Sequence, residues 1–132
     1  MTPLAIRMTT DKRLEVLTGM AEELVSKEEF AELLKTKEHP VAYDGFEPSG
    51  LIHIAQGLHR AQTIKAFTDQ GVRFKVLIAD WHAMINNKMG GDLEKIQKVG
   101  EYFIEVWRSC GLDPDQVEFV WASDLVQDEQ YW

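Results

Sequence analysis

The stretch that decides the fold is YDGFEPSGLIHIAQG, residues 43–57. A short apolar segment, VAYDGF, runs into a loop of Gly, Pro, Ser and Gly, and a helical pattern follows from His53 onward. Ordinary strand-to-helix turns have this composition and bind nothing. Here, however, the free N–H groups of the helix start would stand beside glycines that let an anion approach the backbone closely. The pattern by itself leaves both interpretations open.

The chain around this stretch alternates strand and helix patterns in the order β-α-β-α-β. A second strand follows Gly71 and ends at Asp80, and a third covers VEFVWAS, residues 117–123. The mostly apolar second strand is typical of a sheet covered on both faces. Crossovers of this length favour parallel strands with right-handed connections, which places strands one and three at opposite edges. We therefore predict an α/β fold, the first half of a doubly wound parallel sheet with about three strands and flanking helices.

Amphipathic patterns and caps predict the helices. Thr10 would cap a first helix, Ser26 begins a capping box for a second, and Asp92 would cap a long one. A short helix is predicted in WHAMINNKM, residues 81–89. The apolar side of the first helix comprises Leu14, Leu17, Ala21 and Leu24. In the helix from His53, the apolar side comprises Ile54, Leu58, Ala61, Ile64 and Phe67. In the long helix, it comprises Leu93, Ile96, Val99, Phe103, Val106 or Trp107, and Cys110. The first two helices form an N-terminal segment, residues 1–39, before the sheet region, residues 40–132.

Composition narrows the class of protein. The chain has 132 residues, 45% of them hydrophobic and 27% charged, as in a soluble globular domain. Its net charge of −8 argues against a generally basic surface that coats nucleic acid. No apolar run exceeds four residues, so no membrane span is predicted, and MTPLAIRMTTDKR has no signal-peptide pattern. The single cysteine, Cys110, excludes an internal disulfide and suits a reducing compartment.

Parallel sheets bind ligands at the carboxyl ends of their strands, which here are YDGFEPSG, ADWHA and ASDL. We expect these ends to converge on one crevice. His53, Gln56 and Gly57 would share the helix face opposite the apolar stripe, where a histidine and an amide beside the helix N-terminus suit a phosphate. The stretch is neither a P-loop nor a GxGxxG fingerprint. A solvated histidine with no function remains the alternative.

These residues carry a family resemblance. YDGFEPSGLIHIAQG, followed by IADWHAMINNKMGGDLEKIQKVGEYFIEVW and VEFVWASDL, resembles the tyrosyl-tRNA synthetases of the archaeal and eukaryotic type, over about residues 41–125. The resemblance implies a class I synthetase with a Rossmann-like catalytic domain, of which residues 40–132 would be the truncated first half. It implies a tyrosine–tRNA ligase that uses ATP with Mg²⁺ as a substrate complex, has no tightly bound cofactor and acts on tRNA. It further implies a cytoplasmic homodimer when full length, with no membrane association.

The resemblance also assigns site residues. The signature His-x-Gly-His corresponds to residues 53–56, where Ala55 and Gln56 depart from it, and His53 and Gln56 would be the catalytic donors. The residues implied for ATP are Gly45, Pro48, Ser49, Gly50, His53, Gln56 and Gly57. Those implied for tyrosine are Tyr43, Leu77, Ala79, His82, Ser123, Asp124 and Leu125; no metal-ligating residue is implied. On pattern alone, Tyr43 could be a packed strand aromatic, Leu77 plain core and His82 a satisfied buried histidine.

Two other functions stay open at this point. The chain could be a non-catalytic interaction module derived from a synthetase, or part of another class I synthetase such as the tryptophanyl enzyme. We also expect the isolated 132-residue chain, which lacks the family's Lys-Met-Ser-Lys-Ser loop, to be incomplete as an enzyme. An unpaired edge on strand one would favour self-association, and tyrosine would bind weakly.

Overall fold

The computed structural model describes residues 8–132 and has the predicted order of strands and helices. Its strands are β1 (Val41–Phe46), β2 (Arg73–Ile78) and β3 (Val117–Trp121). They form one parallel sheet in the order β1-β2-β3, which confirms that the first and third strands lie at opposite edges. Strand β3 ends two residues earlier than predicted, because Ala122 and Ser123 begin a short helix. Residues 1–7 of the predicted N-terminal segment lie outside the described residues.

Six α-helices accompany the described sheet: α1 (Thr10–Thr18), α2 (Lys27–Thr36), α3 (Arg60–Asp69), α4 (Asp80–Ile85), α5 (Leu93–Ser109) and α6 (Ala122–Leu125). A π-helical turn, Ala55–His59, precedes α3, and 3₁₀ turns occupy Lys88–Gly91 and Glu129–Tyr131. Two caps are confirmed: the Ser26 hydroxyl accepts from the Glu29 N–H, and the Asp92 carboxylate accepts from the Lys95 N–H. The hydrogen bond from the Lys95 backbone lowers the pKa of Asp92 below its ordinary 3.8. Of the helices in residues 8–132, none has the length and apolar run needed to cross a bilayer.

Helices α3 and α5 cover the same face of the sheet, so the expectation of two covered faces is wrong for the described residues. This covered face includes Phe74, Val76 and Ile78, which pack with residues of both helices. The opposite face, called the open face below, carries Val41, Tyr43, Gly45, Arg73, Lys75, Leu77, Glu118 and Val120. The reason is topological: two successive right-handed crossovers that step in one direction along a sheet place both helices on one side.

The N-terminal helices pack beside the turn that leads into β2. Leu17, Leu34 and Val72 form a small buried cluster there. The buried Arg13 donates from Nε to the Gln70 carbonyl at 2.9 Å. Burial lowers the pKa of Arg13 below its ordinary value, and nearby Glu38 opposes the change. These contacts fasten α1 to the sheet region.

The first helix is shorter than its apolar pattern predicts. Thr9, rather than Thr10, is the cap, and its hydroxyl accepts from the Lys12 N–H. The helix closes at Gly19, whose N–H bonds the Glu15 carbonyl. Leu24 therefore lies outside the helix, where its side chain is exposed.

Candidate functional site

Hydrogen bonds tie the carboxyl ends of the three strands together, as the sequence predicts. The Ala79 N–H, just after β2, donates to the Phe46 carbonyl at the end of β1, at 2.8 Å. The Asn86 amide donates to the Glu47 carboxylate, which joins the end of α4 to the loop after β1. The loops after β1 and β2 therefore form one continuous rim.

The side chain of Asp80 connects the loop after β3 to this rim. Its Oδ1 accepts from the Trp81 N–H at 2.9 Å and the Ser123 N–H at 3.0 Å, while Oδ2 accepts from Gln97 Nε2 at 3.0 Å. The side chain is fully buried, and these three donors compensate for the water that the carboxylate has lost. Asp80 thereby joins β2, α5 and the start of α6. Asp80 is not among the site residues expected from the sequence, although an aspartate at the end of an apolar strand was the available signal.

The loop after β1 leaves its backbone accessible. A Cβ added to Gly45 would meet nothing closer than Leu77, at 3.7 Å. Gly50 has φ +137°, which disfavours other residues, and an added Cβ there would meet nothing within 4 Å. Pro48 is buried and Ser49 exposed, so the loop is pinned at its centre. A ligand could approach the main chain at both glycines.

A π-helical turn, Ala55–His59, replaces the regular helix predicted from His53 and will be called the π-turn. The His59 N–H bonds the Ile54 carbonyl five residues back, at 3.1 Å. One wide turn rotates the apolar stripe, so Ile54 is 76% exposed and Leu58 43% exposed, against the prediction. Ala61 and Ile64 are buried as predicted, and Gly57 and Thr68 are the other buried positions. Such turns are rare and occur frequently at functional sites.

The π-turn separates the three residues that were expected to share a face. His53 is exposed and Gln56 half-buried, but Gly57 is buried against α5. A Cβ on Gly57 would lie 3.4 Å from the Val106 side chain. The expectation that Gly57 faces outward with the other two is therefore wrong, because the wide turn carries it to the core side.

The residues expected to contact tyrosine lie partly on the open face. Tyr43 is 82% exposed there, so it is not a packed strand aromatic, and Leu77 is half-buried beside Gly45. Ala79 is buried between β2 and α4. His82 is exposed on α4, which rules out the satisfied buried histidine.

The last three residues of that set follow β3. Ser123 and Asp124 line a groove of about 360 Å³ between α5 and α6, together with Glu101 and Arg108. Leu125 is half-buried. The groove is lined by none of the open-face residues. The structure thus brings Tyr43 and Leu77 together on one side, and Ser123 and Asp124 on another.

Within residues 8–132, no three His, Cys, Asp or Glu side chains come together in a way that could hold a metal ion.

Comparisons with known proteins identify the family. The sequence model of the protein family described as tRNA synthetases class I (W and Y) matches residues 35–132. Tyrosine–tRNA ligase 1, cytoplasmic, of Arabidopsis thaliana is 48% identical over 124 residues, which are 92% of this chain and 32% of the relative. The chain thus spans about a third of that relative's length.

Solved structures agree. The Leishmania major tyrosyl-tRNA synthetase in complex with tyrosinol matches with a TM-score of 0.88 at 44% identity, covering 92% of this chain and 18% of that one. The Archaeoglobus fulgidus enzyme complexed with L-tyrosine matches with a TM-score of 0.84 at 37% identity, covering 94% of this chain and 38% of that one. The sheet is accordingly Rossmann-like, and the chain belongs to the class I tRNA synthetases of the W and Y family.

Proposed function

We propose that the protein carrying this chain is a tyrosine–tRNA ligase, which joins tyrosine to ATP as tyrosyl-adenylate and then transfers the tyrosyl group to tRNA. One observation carries the proposal. The chain fits, over more than nine-tenths of its length, two synthetases whose structures hold tyrosinol and L-tyrosine. The open face supplies a surface on which such a ligand could lie.

On the tyrosine side, the phenol of Tyr43 would contact the hydroxyl of the substrate. The exposure of Tyr43 on the open face supports this assignment, because a packed side chain could not reach a ligand. Leu77 and Ala79 would lie along the ring, and His82 would close the floor. The proposed edge of the pocket comprises Ser123, Asp124 and Leu125, which follow β3, although the first two also line the separate groove between α5 and α6.

On the ATP side, the loop after β1 would receive the nucleotide. Its proposed contacts are Gly45, Pro48, Ser49, Gly50, His53, Gln56 and Gly57. The accessible backbone at Gly45 and Gly50 supports this role. Gly57 is buried, so it would contribute only by allowing the π-turn to lie close to α5. Gln56 would donate to phosphate as a neutral amide.

The adenylation step needs no protein nucleophile. The tyrosine carboxylate attacks the α-phosphorus, its new P–O bond forms as the bond to pyrophosphate breaks, and pyrophosphate leaves with the electron pair. His53 and Gln56 would donate hydrogen bonds to the phosphate oxygens, where negative charge builds. Mg²⁺ would enter as part of the ATP substrate, bound to phosphates and water.

The remaining parts of the proposal concern partners and place. The protein would transfer the tyrosyl group to the terminal ribose of tRNA(Tyr) and act as a homodimer. The printed name of the Arabidopsis relative supports a cytoplasmic location.

Pyrophosphate exchange on the full-length protein tests the proposal. Exchange should depend on tyrosine and be negligible with phenylalanine, since a site that hydrogen-bonds a hydroxyl rejects the analogue lacking it, a discrimination that tyrosyl enzymes themselves exemplify. The matched variant is Tyr43→Phe, which keeps the ring and should narrow the preference for tyrosine over phenylalanine. Exchange driven by tryptophan would assign the other branch of the family. No exchange with any amino acid would favour a non-catalytic module.

A further inference from the structure

The side chain of Trp107 reaches from α5 to the π-turn. It is fully buried, and its Nε1–H donates to the Gln56 carbonyl at 2.8 Å, across 51 residues of sequence. Three aromatic rings hold the indole: Phe46 at 5.0 Å, Phe103 at 5.6 Å and Phe119 at 6.1 Å between centroids. An indole packed on this many sides has a fixed position, so its N–H is a fixed donor.

The π-turn receives that donor where its own hydrogen-bond pattern changes. The His53 carbonyl accepts from the Gly57 N–H four residues on, whereas the Ile54 carbonyl accepts from the His59 N–H five residues on. The Ala55 carbonyl continues the wide pattern by accepting from the Arg60 N–H, and the next carbonyl, that of Gln56, accepts from Trp107. A partly buried carbonyl without a partner is costly, so the indole favours the wide turn over a regular helix.

The turn also rests directly on α5. The missing side chain of Gly57 lets the backbone approach Val106, the residue before Trp107. Two neighbouring positions of α5 therefore fix the height and the rotation of the turn. The same rotation leaves His53 exposed at the rim while Gly57, four residues on, is buried.

We propose that Trp107 is a positioning residue for the adenylation site: its indole N–H holds the π-turn in the register that aims His53 and Gln56 at the phosphates. This inference rests on the proposed function and deepens it. On this proposal, a hydrogen bond on the covered side of the sheet sets the positions of His53 and Gln56 at the rim, although Trp107 itself touches no substrate.

The test compares two variants of the full-length protein. Trp107→Phe keeps an aromatic ring but removes the donor. The control, Phe74→Leu, removes aromatic packing from the same core cluster, but from a ring that pairs with Phe67 and not with Trp107. Amide hydrogen exchange at residues 57, 59 and 60 measures the π-turn directly, and pyrophosphate exchange measures kcat, KM for ATP and KM for tyrosine.

Trp107→Phe should speed amide exchange in the π-turn selectively and lower kcat/KM for ATP by about 10- to 100-fold, since small misplacements of catalytic groups have effects of this size. KM for tyrosine should change by less than about twofold, because the proposed tyrosine contacts lie elsewhere on the rim. Phe74→Leu should loosen the core generally without this selectivity. Unchanged kinetics in Trp107→Phe, or an equal effect in both variants, would overturn the inference. Should the wild type catalyse no tyrosine-dependent exchange, the proposed function fails, and amide exchange alone then decides whether Trp107 holds the turn.

Discussion

The two faces of the sheet are built from alternate residues of the same strands, yet they have opposite characters. Ile78 on the covered face is completely buried, whereas Tyr43 on the open face is 82% exposed. The covered face holds the packing that stabilises the described fold, and the open face carries the groups proposed to meet tyrosine. A parallel sheet is normally covered on both sides, so an exposed aromatic on one side marks a surface available to a ligand or to further protein.

Truncating two neighbouring residues of β2, one on each face, tests this difference between the faces with the largest expected effect. Ile78→Ala should destabilise the 132-residue chain by about 2–5 kcal/mol, because it removes fully buried methyl groups and leaves a cavity. Leu77→Ala, on the open face, should cost about 1 kcal/mol or less, since this side chain is only half-buried. Urea unfolding of both variants measures the difference. Equal losses would mean that the open face is packed in solution.

At the rim, by contrast, we expect a substitution that lowers activity and leaves stability nearly unchanged. His53→Ala in the full-length protein should raise the adenylation barrier by roughly 2.7–4 kcal/mol, the usual effect of removing one donor to a developing charge. Tyrosine binding and stability should change little, because His53 is exposed. The matched control is His59→Ala, an exposed histidine at the other end of the π-turn, which should keep its rate. Single-turnover adenylation measures both, and an unchanged rate in His53→Ala would return His53 to the solvated surface.

Two glycines, one packed against the covered face and one on the open face, test the same difference in packing. A Cβ on Gly100, in α5, would lie 2.5 Å from the Trp121 ring and 2.9 Å from Ile78. Gly100→Ala should therefore cost up to about 3 kcal/mol in strain, more than the ~1 kcal/mol that alanine gains in a helix. Gly45→Ala, on the open face, meets Leu77 at an ordinary 3.7 Å and should leave stability nearly unchanged. Thermal unfolding of the two variants decides; a neutral Gly100→Ala would show that the Trp121 ring moves aside freely.

The smallest effect concerns the cap of α5. Because folding lowers the pKa of Asp92, its charged form stabilises the fold above the ordinary pKa of 3.8, and this contribution is lost as the pH falls through the lowered value. Asp92→Asn keeps a good capping side chain but cannot titrate. Urea unfolding measured between about pH 2 and about pH 6 should show that the free energy of unfolding falls less steeply with acid in the variant. An identical pH dependence would contradict the role of this carboxylate.

Local signals predicted the parts of the fold that local chemistry determines. VAYDGF matches β1 residue for residue, and Asp92 caps α5 as its sequence indicates. In each case, neighbouring residues supply the reason, either alternating burial or a side-chain oxygen for a free N–H. The loop from Gly45 to Gly50 was likewise identifiable, because glycine and proline act on their own backbone.

The parts that sequence missed depend on distant partners. Both-sided burial of β2 was inferred from its apolar run, although Lys75 breaks that run and the hand of the crossovers puts both helices on one side. The π-turn has no local signature, since its donor comes from Trp107, 51 residues away. Asp80 is satisfied by donors from α5 and α6, which no spacing along the chain reveals.

A crystal structure of the full-length protein with tyrosinol tests most directly the claim that the open face binds the substrate. We expect the ligand ring beside Leu77, with its hydroxyl within about 3.2 Å of the Tyr43 Oη, a normal hydrogen-bond distance. Tyrosinol bound in the groove between α5 and α6, away from Tyr43, would contradict it.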